Sequence, residues 1–178
     1  NGPGVSEQRK AELLESARAC RHVPFEPART YLEGLQAVWL VHVALNLEDF
    51  EQGLSFGRMD QILLPLYRRD VEQGRLTPEK AVEMTASFCL KACETMPLYS
   101  ERIDQFFSGN GVAQAFTLGG TDEKGNDATN ELSGLILNAY AQVLTREPAV
   151  HVRIHPATPD WFFEKSVELL QMGTSRPS

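Results

Sequence analysis

The sequence predicts a helix-rich α/β chain, and three observations carry that expectation. Apolar residues recur at helical spacing through most of its length. Two short runs, 113–118 and 149–154, have instead the length and bounding turn residues of strands. Each of these runs leads, across a turn, into a new helical pattern. Two strands so far apart make no sheet within this chain unless they pair with each other.

The elements follow in order. Ser6 is a suitable N-cap, and Leu13, Leu14, Ala17 and Ala19 give helical spacing up to Pro24. Pro24-Phe25-Glu26-Pro27 connects to a helix over about residues 28–47, with Tyr31, Leu35, Val38, Trp39 and His42 as its apolar stripe. After a loop over 48–54, Ser55-Phe56-Gly57-Arg58-Met59-Asp60-Gln61 reads as the opening of a helix that Gly74 stops. Thr77-Pro78 is an N-cap with proline at the first helical position, and that helix runs to about Thr95. A short helix spans 100–107. The first strand, 113–118, stops at Gly119-Gly120, and residues 122–127 form a polar turn. Asp127 or Thr129 is placed to cap a long helix to Leu144. The second strand follows Pro148, and Thr158-Pro159-Asp160 starts the last helix.

Bulk properties exclude several function classes. The chain has 178 residues, is 42% hydrophobic and 23% charged, and carries a net charge of −7. That balance suits a folded domain and argues against a nucleic-acid or anionic-membrane surface. The longest apolar run, around residues 37–47, is broken by His42 and Asn46 and is too short to span a bilayer. Three cysteines in a chain of this size point to a reducing compartment without structural disulfides. The start in Asn-Gly-Pro-Gly and the stop shortly after a helix read as an internal piece of a longer polypeptide.

Metal and nucleotide chemistry find little support in the residues. Cys89 and Cys93 share a helix face, yet Met96 stands where a cluster would need a third cysteine, and no histidine lies near enough to complete a zinc set. Two small residues buried in a helix interface are the simpler reading. His151, Arg153 and His155 face one way on a strand, but about 13 Å of extended chain separates the histidines, too far for one ion. They read as a row lining a polar cavity or as a solvated strand face. Residues 122–127 resemble part of a calcium loop without its late bidentate glutamate, since Glu131 comes too early. Gly119-Gly120 lacks the spacing of a phosphate loop. His42 on an apolar stripe reads as a satisfied core histidine. In the Ser55–Gln61 stretch, Asp60 suits a helix start, and Arg58 needs a partner there. A buried Arg–carboxylate pair holding two elements together is favoured over direct substrate contact.

Four stretches together resemble the glycyl radical enzymes, the superfamily of pyruvate formate-lyase and glycerol dehydratase. They are Pro27–Thr30 with Glu33–Trp39; Ser55–Tyr67 with Arg69-Asp70; Gln114–Gly120 with Gly125 and Asn130–Ser133; and Pro148 with Val152–His155. They stand in family order and span almost the whole chain. The resemblance implies a ten-stranded α/β barrel wrapped by helices, of which the two strands are staves. It makes residues 1–178 a partial pyruvate formate-lyase-like barrel domain, lacking the cysteine loop and the C-terminal glycyl radical domain.

The family's chemistry, by this resemblance, passes a hydrogen atom from a backbone glycyl radical to a cysteine, whose thiyl radical attacks the substrate. That cysteine would fall beyond Ser178, so no catalytic residue is expected here, and none of Cys20, Cys89 or Cys93 matches it. The substrate-contacting positions implied are Gln52, Gly53, Ser55, Ala113, Ala115 and Phe116, with Arg58, Asp60, Arg153 and His155 supporting the pocket. Gln52-Gly53 departs from the paired alanines of pyruvate formate-lyase and from the His-Ser pair of glycerol dehydratases. Ala113 stands where several members carry a large aromatic. Small residues at Gly53 and Ala113 imply a substrate bulkier than glycerol, and Gln52 would offer it a neutral hydrogen bond.

The resemblance therefore implies a radical lyase, a dehydratase, decarboxylase or related C–X cleaving enzyme. Acyl transfer of the formate C-acetyltransferase type is the alternative within the family, and a non-catalytic helical interaction domain is the alternative outside it. No bound cofactor or metal is expected in the chain. The glycyl radical would be installed by an activase that uses S-adenosylmethionine and an iron–sulfur cluster. A homodimer, an anaerobic setting and a cytoplasmic location are implied as well, with no nucleic-acid or membrane partner.

Overall fold

The computed structural model describes residues 4–48, 53–95, 100–107, 113–174 and 177. Helices dominate, and a short parallel sheet of three strands lies among them in the order β1-β2-β3. The first helix, α1 (Glu7–His22), is capped by Ser6, whose Oγ accepts the Arg9 N–H at 3.2 Å. Helix α2 (Tyr31–Glu48) starts with Thr30 Oγ1 accepting from Glu33 N–H and the Glu33 carboxylate reaching back to Arg29 N–H at 2.7 Å. Two polar ends are thus satisfied reciprocally.

The largest departure from expectation lies at Ser55. Ser55–Gly57 forms a strand, β1, and helix begins only at Met59, as α3 (Met59–Ile62). Gly57 has φ +81, a left-handed value that a helix start does not accommodate. The strand exists because it finds a partner far away: Ser55 pairs with Ala115 and Gly57 with Phe116, across a bulge. The sheet therefore has three strands where the sequence predicts two.

A second break separates α3 from α4 (Leu64–Glu72). Pro65 has no N–H to give and crowds the carbonyl one turn back, so the expected single helix is divided there. Gly74, with φ +65, ends α4 as expected.

Helix α5 (Pro78–Cys93) is capped by Thr77, and α6 (Glu101–Phe107) follows. Strand β2 (Ala115–Gly119) is shorter than expected at its start, because Ala113 has φ 54 and lies outside the extended region. Helix α7 (Glu131–Val143) is capped by Asn130 rather than by Asp127 or Thr129. The Asn130 side chain accepts the N–H groups of Leu132 and Ser133, while Ser133 Oγ accepts the Asn130 N–H at 3.1 Å. Strand β3 (Ala149–Arg153) pairs in parallel with β2 over its full length, from Ala115 with Ala149 to Gly119 with Arg153. Helix α8 (Asp160–Leu169) runs into a wider turn, Leu170–Thr174.

One hydrophobic core joins the helices to one face of the sheet. Phe56, Phe116, Leu118 and Val150 from the strands meet Phe88 of α5, Leu132 and Ile136 of α7 and Phe162 of α8. Burial of these apolar side chains is the main force holding sheet and helices together. Among the described residues no helix is long and apolar enough to cross a membrane.

Candidate functional site

Strand parity sorts the sheet residues into two sets. Successive side chains point to opposite faces. Phe116, Leu118 and Val150 enter the core, so Ala115, Thr117, Ala149, His151 and Arg153 belong to the opposite face. There Ala115, Thr117 and Ala149 are half-buried, and His151 and Arg153 are exposed. Parallel sheets are normally covered on both faces. This one presents a helix-facing apolar side and an open side of small, hydroxyl and cationic residues.

The expected site residues distribute between these settings. Ser55 lies at the start of β1, exposed, and its Oγ donates to Ala115 O at 3.0 Å while accepting from Gly57 N–H. Ala115, its register partner, is half-buried on the open face. Gly53 has φ +84, and a Cβ built on it would meet nothing within 4 Å, so the space beside it is open. Ala113 is exposed just ahead of β2. Phe116 is different: it is 1% exposed and belongs to the core side, so its ring backs the sheet rather than facing Ala115. Gln52 lies outside the described residues. An apolar hollow of about 340 Å³ borders this corner, lined by Val38, Val41, His42, Leu45, Leu54 and Phe56 among others.

The polar residues of the Ser55–Gln61 stretch act on one target. Arg58 donates to Gly119 O at 2.6 Å and to Thr121 O at 2.9 Å. Asp60 is fully buried, and its Oδ2 accepts the Gly119 N–H at 2.7 Å and the Ser133 hydroxyl at 2.6 Å. Gln61 donates to Ala128 O at 2.7 Å. These side chains clamp the segment that leaves β2 and enters α7, while Ser55 holds the start of β2. The sequence favours an Arg58–carboxylate pair, whereas Arg58 and Asp60 each grip Gly119. Burial raises the Asp60 carboxyl above the usual aspartate range, against the pull of its bonds to Ser133 and Gly119.

Gly119 and Gly120 both have positive φ, and both are crossed closely. A Cβ on Gly119 would lie 2.8 Å from the Phe162 ring, and one on Gly120 would lie 3.0 Å from Arg153 Cβ. The glycine pair therefore serves close packing, and Arg153 lies directly over it.

His155 follows β3 and shares a proton with Asp127 of the β2–α7 loop, Nε2 to Oδ1 at 3.0 Å. Thr129 Oγ1 donates to the same oxygen. His155 Nδ1 accepts the Ala157 N–H at 3.3 Å, which places the ring proton on Nε2. This pair ties the loops after β2 and β3. His155 thus belongs to a loop latch, while His151 and Arg153 remain on the open face.

Two buried polar groups escaped sequence reading. Gln114 is fully buried, accepts from His42 Nε2 at 2.5 Å and donates to Ala92 O at 2.9 Å. His42 stacks between Trp39 and Phe56 and is the satisfied core histidine expected of it. Burial lowers its pKa, opposed by the bond to Gln114. Ser133, the partner of Asp60, gave no signal beyond its place in the first turn of α7. Thr117 was legible by parity alone, since it shares a face with Ala115.

Cys20, Cys89 and Cys93 are free thiols. Cys89 is buried, and burial pushes its thiol up to about 12, while Cys93 is exposed on the same helix. Among the described residues no group of three or more His, Cys, Asp or Glu side chains is arranged to hold a metal. Asp122 accepts from Lys124 N–H and from Asn126, as a reverse turn requires.

A family model described as pyruvate formate lyase-like matches residues 5–178. Isethionate sulfite-lyase of Oleidesulfovibrio alaskensis is 35% identical over 171 residues, covering 95% of this chain and 21% of that protein. A solved glycyl radical enzyme from Archaeoglobus fulgidus superposes with a TM-score of 0.88 at 40% identity, over 96% of this chain and 22% of the other. The glycerol-bound B12-independent glycerol dehydratase from Clostridium butyricum gives 0.89 at 32% identity, over 97% and 22%. The chain thus spans about a fifth of the length of the curated relatives it matches.

Proposed function

The chain belongs to the pyruvate formate lyase-like family, and we propose on that footing that the intact protein is a glycyl radical lyase to which residues 1–178 contribute part of the barrel wall. The reaction class is cleavage of a C–O, C–C or C–S bond in a small organic substrate. The observation that carries this reading is the open sheet face. A parallel sheet with Ala115, Thr117, His151 and Arg153 on its uncovered side is suited to line a polar interior, while Phe116, Leu118 and Val150 anchor it to the helices.

In this reading the reacting cysteine and the glycyl residue belong to other parts of the polypeptide, and the radical is installed by an activating enzyme using S-adenosylmethionine. Gln52, Gly53, Ser55, Ala113 and Ala115 shape one end of the pocket, and small side chains there favour a substrate bulkier than glycerol. Phe116 contributes backing for Ala115 rather than contact. Arg58 and Asp60 fix the strand end, and His155 fixes the loops. A cytoplasmic, anaerobic setting and a homodimer complete the proposal.

The test is anaerobic activation of the full-length protein, followed by electron paramagnetic resonance and turnover of a substrate panel that includes glycerol, 1,2-propanediol, isethionate and larger hydroxy acids. A glycyl radical doublet and cleavage of a larger substrate support the reading. Absence of the radical after activation overturns the enzyme class, and preferential turnover of glycerol overturns the substrate size.

A further inference from the structure

The register of the parallel strands arranges the open face in rows. Ser55 pairs with Ala115 and Ala115 with Ala149, so these three side chains form one row across the sheet. Thr117 pairs with His151 in the next row, and Gly119 with Arg153 in the third. Gly53 precedes β1 and Ala113 precedes β2, so the corner proposed to meet substrate lies at the first row, where all three strands begin.

Each row offers different chemistry. The first is small throughout, and its one hydroxyl, on Ser55, already donates to Ala115 O and accepts from Gly57 N–H. A molecule seated on Ala115 and Ala149 therefore meets no bulky side chain along the strands until the second row. There a hydroxyl and an imidazole stand side by side, on strands about 5 Å apart. In the third row Gly119 has no side chain, and Arg153 leans over Gly120, its Cδ 3.1 Å from where a Cβ would sit on that glycine. The second row is thus the nearest source of side-chain hydrogen bonds beyond the small residues. Two residues of strand place it about 7 Å from the first row.

We propose, resting on the reading that the open face lines the pocket, that His151 with Thr117 determines substrate specificity. The near end of the substrate sits at the first row, and His151 and Thr117 hydrogen-bond its far end. The substrate class is then an elongated diol or hydroxy acid, with a second hydrogen-bonding group about 7 Å from the first. Glycerol, with a three-carbon chain, is too short to meet both rows. A neutral imidazole carries one donor and one acceptor nitrogen, and the threonine hydroxyl does both, so a distal hydroxyl or carboxylate is accommodated.

The test uses two probes that differ only at the far end, 1,2-pentanediol and 1,2,5-pentanetriol, titrated calorimetrically into the unactivated full-length protein. The triol is expected to bind about tenfold more tightly, the effect of one well-made hydrogen bond. His151→Ala is expected to bring the ratio of the two affinities close to one. His151→Gln keeps a donor and an acceptor and restores part of the ratio, and Thr117→Val lowers it by a smaller factor. A merely structural role for His151 would weaken both probes alike and leave the ratio intact. Equal affinities in wild type, absence of triol binding, or a ratio unchanged in His151→Ala overturns the proposal. Electron paramagnetic resonance after activation separates this from the lyase reading. A glycyl radical doublet with a ratio unmoved by His151→Ala overturns the specificity assignment alone. No doublet, with a ratio that His151→Ala abolishes, overturns the lyase reading alone.

Discussion

The clamp at residues 55–61 and the row at residues 151–155 contain similar residue types but use them in opposite ways. In the clamp, the arginine and the carboxylate turn inward and spend their hydrogen bonds on backbone groups of Gly119 and Thr121 and on the Ser133 hydroxyl. In the row, His151 and Arg153 stand exposed on the open sheet face, while His155, past the strand end, is bonded to Asp127. A dense polar sequence at the start of an element is therefore a sign of scaffold here. The sparser polar alternation of the strand places its groups on an exposed face.

The strongest way to break this comparison is at Asp60. Asp60→Ala removes the acceptor for Gly119 N–H and Ser133 Oγ–H and leaves both donors buried, so a loss of about 3 kcal/mol is expected. Denaturant unfolding of the full-length protein measures it. A loss below about 0.5 kcal/mol, the level of an ordinary surface change, would place Asp60 outside the scaffold.

Gly119→Ala attacks the same joint from the strand side. The residue has φ +67, and the new methyl would lie 2.8 Å from the Phe162 ring and 3.3 Å from Arg153 O. Backbone strain and crowding together predict about 2–3 kcal/mol of destabilisation. Gly125→Ala, where φ is +84 and nothing lies within 4 Å, is the control. It carries the backbone cost alone, so the difference between the two unfolding midpoints isolates the packing contribution.

These two joints also mark what the sequence made legible. Helix limits were readable where local chemistry sets them: Ser6 and Thr77 as caps, Gly74 as a stop. The family resemblance was readable from motifs in order. Strand β1 was not, because three residues carry no periodicity and Ser55–Gly57 becomes a strand only through Ala115 and Phe116, some sixty residues away. The break before α4 was signalled by Pro65 but outweighed by the apolar pattern around it. Asn130 as a cap lost to Asp127 and Thr129 because the cap depends on which residue turns, which composition does not reveal. In the candidate site, Arg153 and His151 were legible by strand parity. The inward turn of Phe116 follows from the same parity, since residues 115 and 116 of one strand point to opposite faces.

His42 extends the comparison to a buried group that titrates. Its pKa is lowered by burial, so the unfolded chain takes up a proton at higher pH than the folded one does. Between the unfolded value near 6.5 and the lower folded value, the unfolded state binds more protons, and stability falls as pH drops through that window. His42→Gln keeps a donor for Gln114 without a titrating ring. Its stability is expected to vary less with pH in that window than wild type, as read from denaturation midpoints at a series of pH values. Unchanged pH dependence would assign the effect to another group.

The smallest stability effect is expected where the comparison assigns function. Arg153→Ala removes an exposed side chain that lies over Gly120, so the unfolding midpoint should move by no more than about 0.5 kcal/mol. If the open face lines the pocket, the same change raises KM in the activated full-length protein, because a cation that meets substrate or its solvent shell is gone. Arg153→Lys then separates charge from shape: recovery of KM points to charge, and no recovery points to the planar guanidinium. Asp60→Ala and Arg153→Ala thus predict opposite patterns, large in stability for one and large in KM for the other. A KM unaltered in Arg153→Ala, with stability intact, would remove β3 from the pocket wall and leave the Gly53–Ser55 corner with Ala115 as the part of this chain that meets substrate.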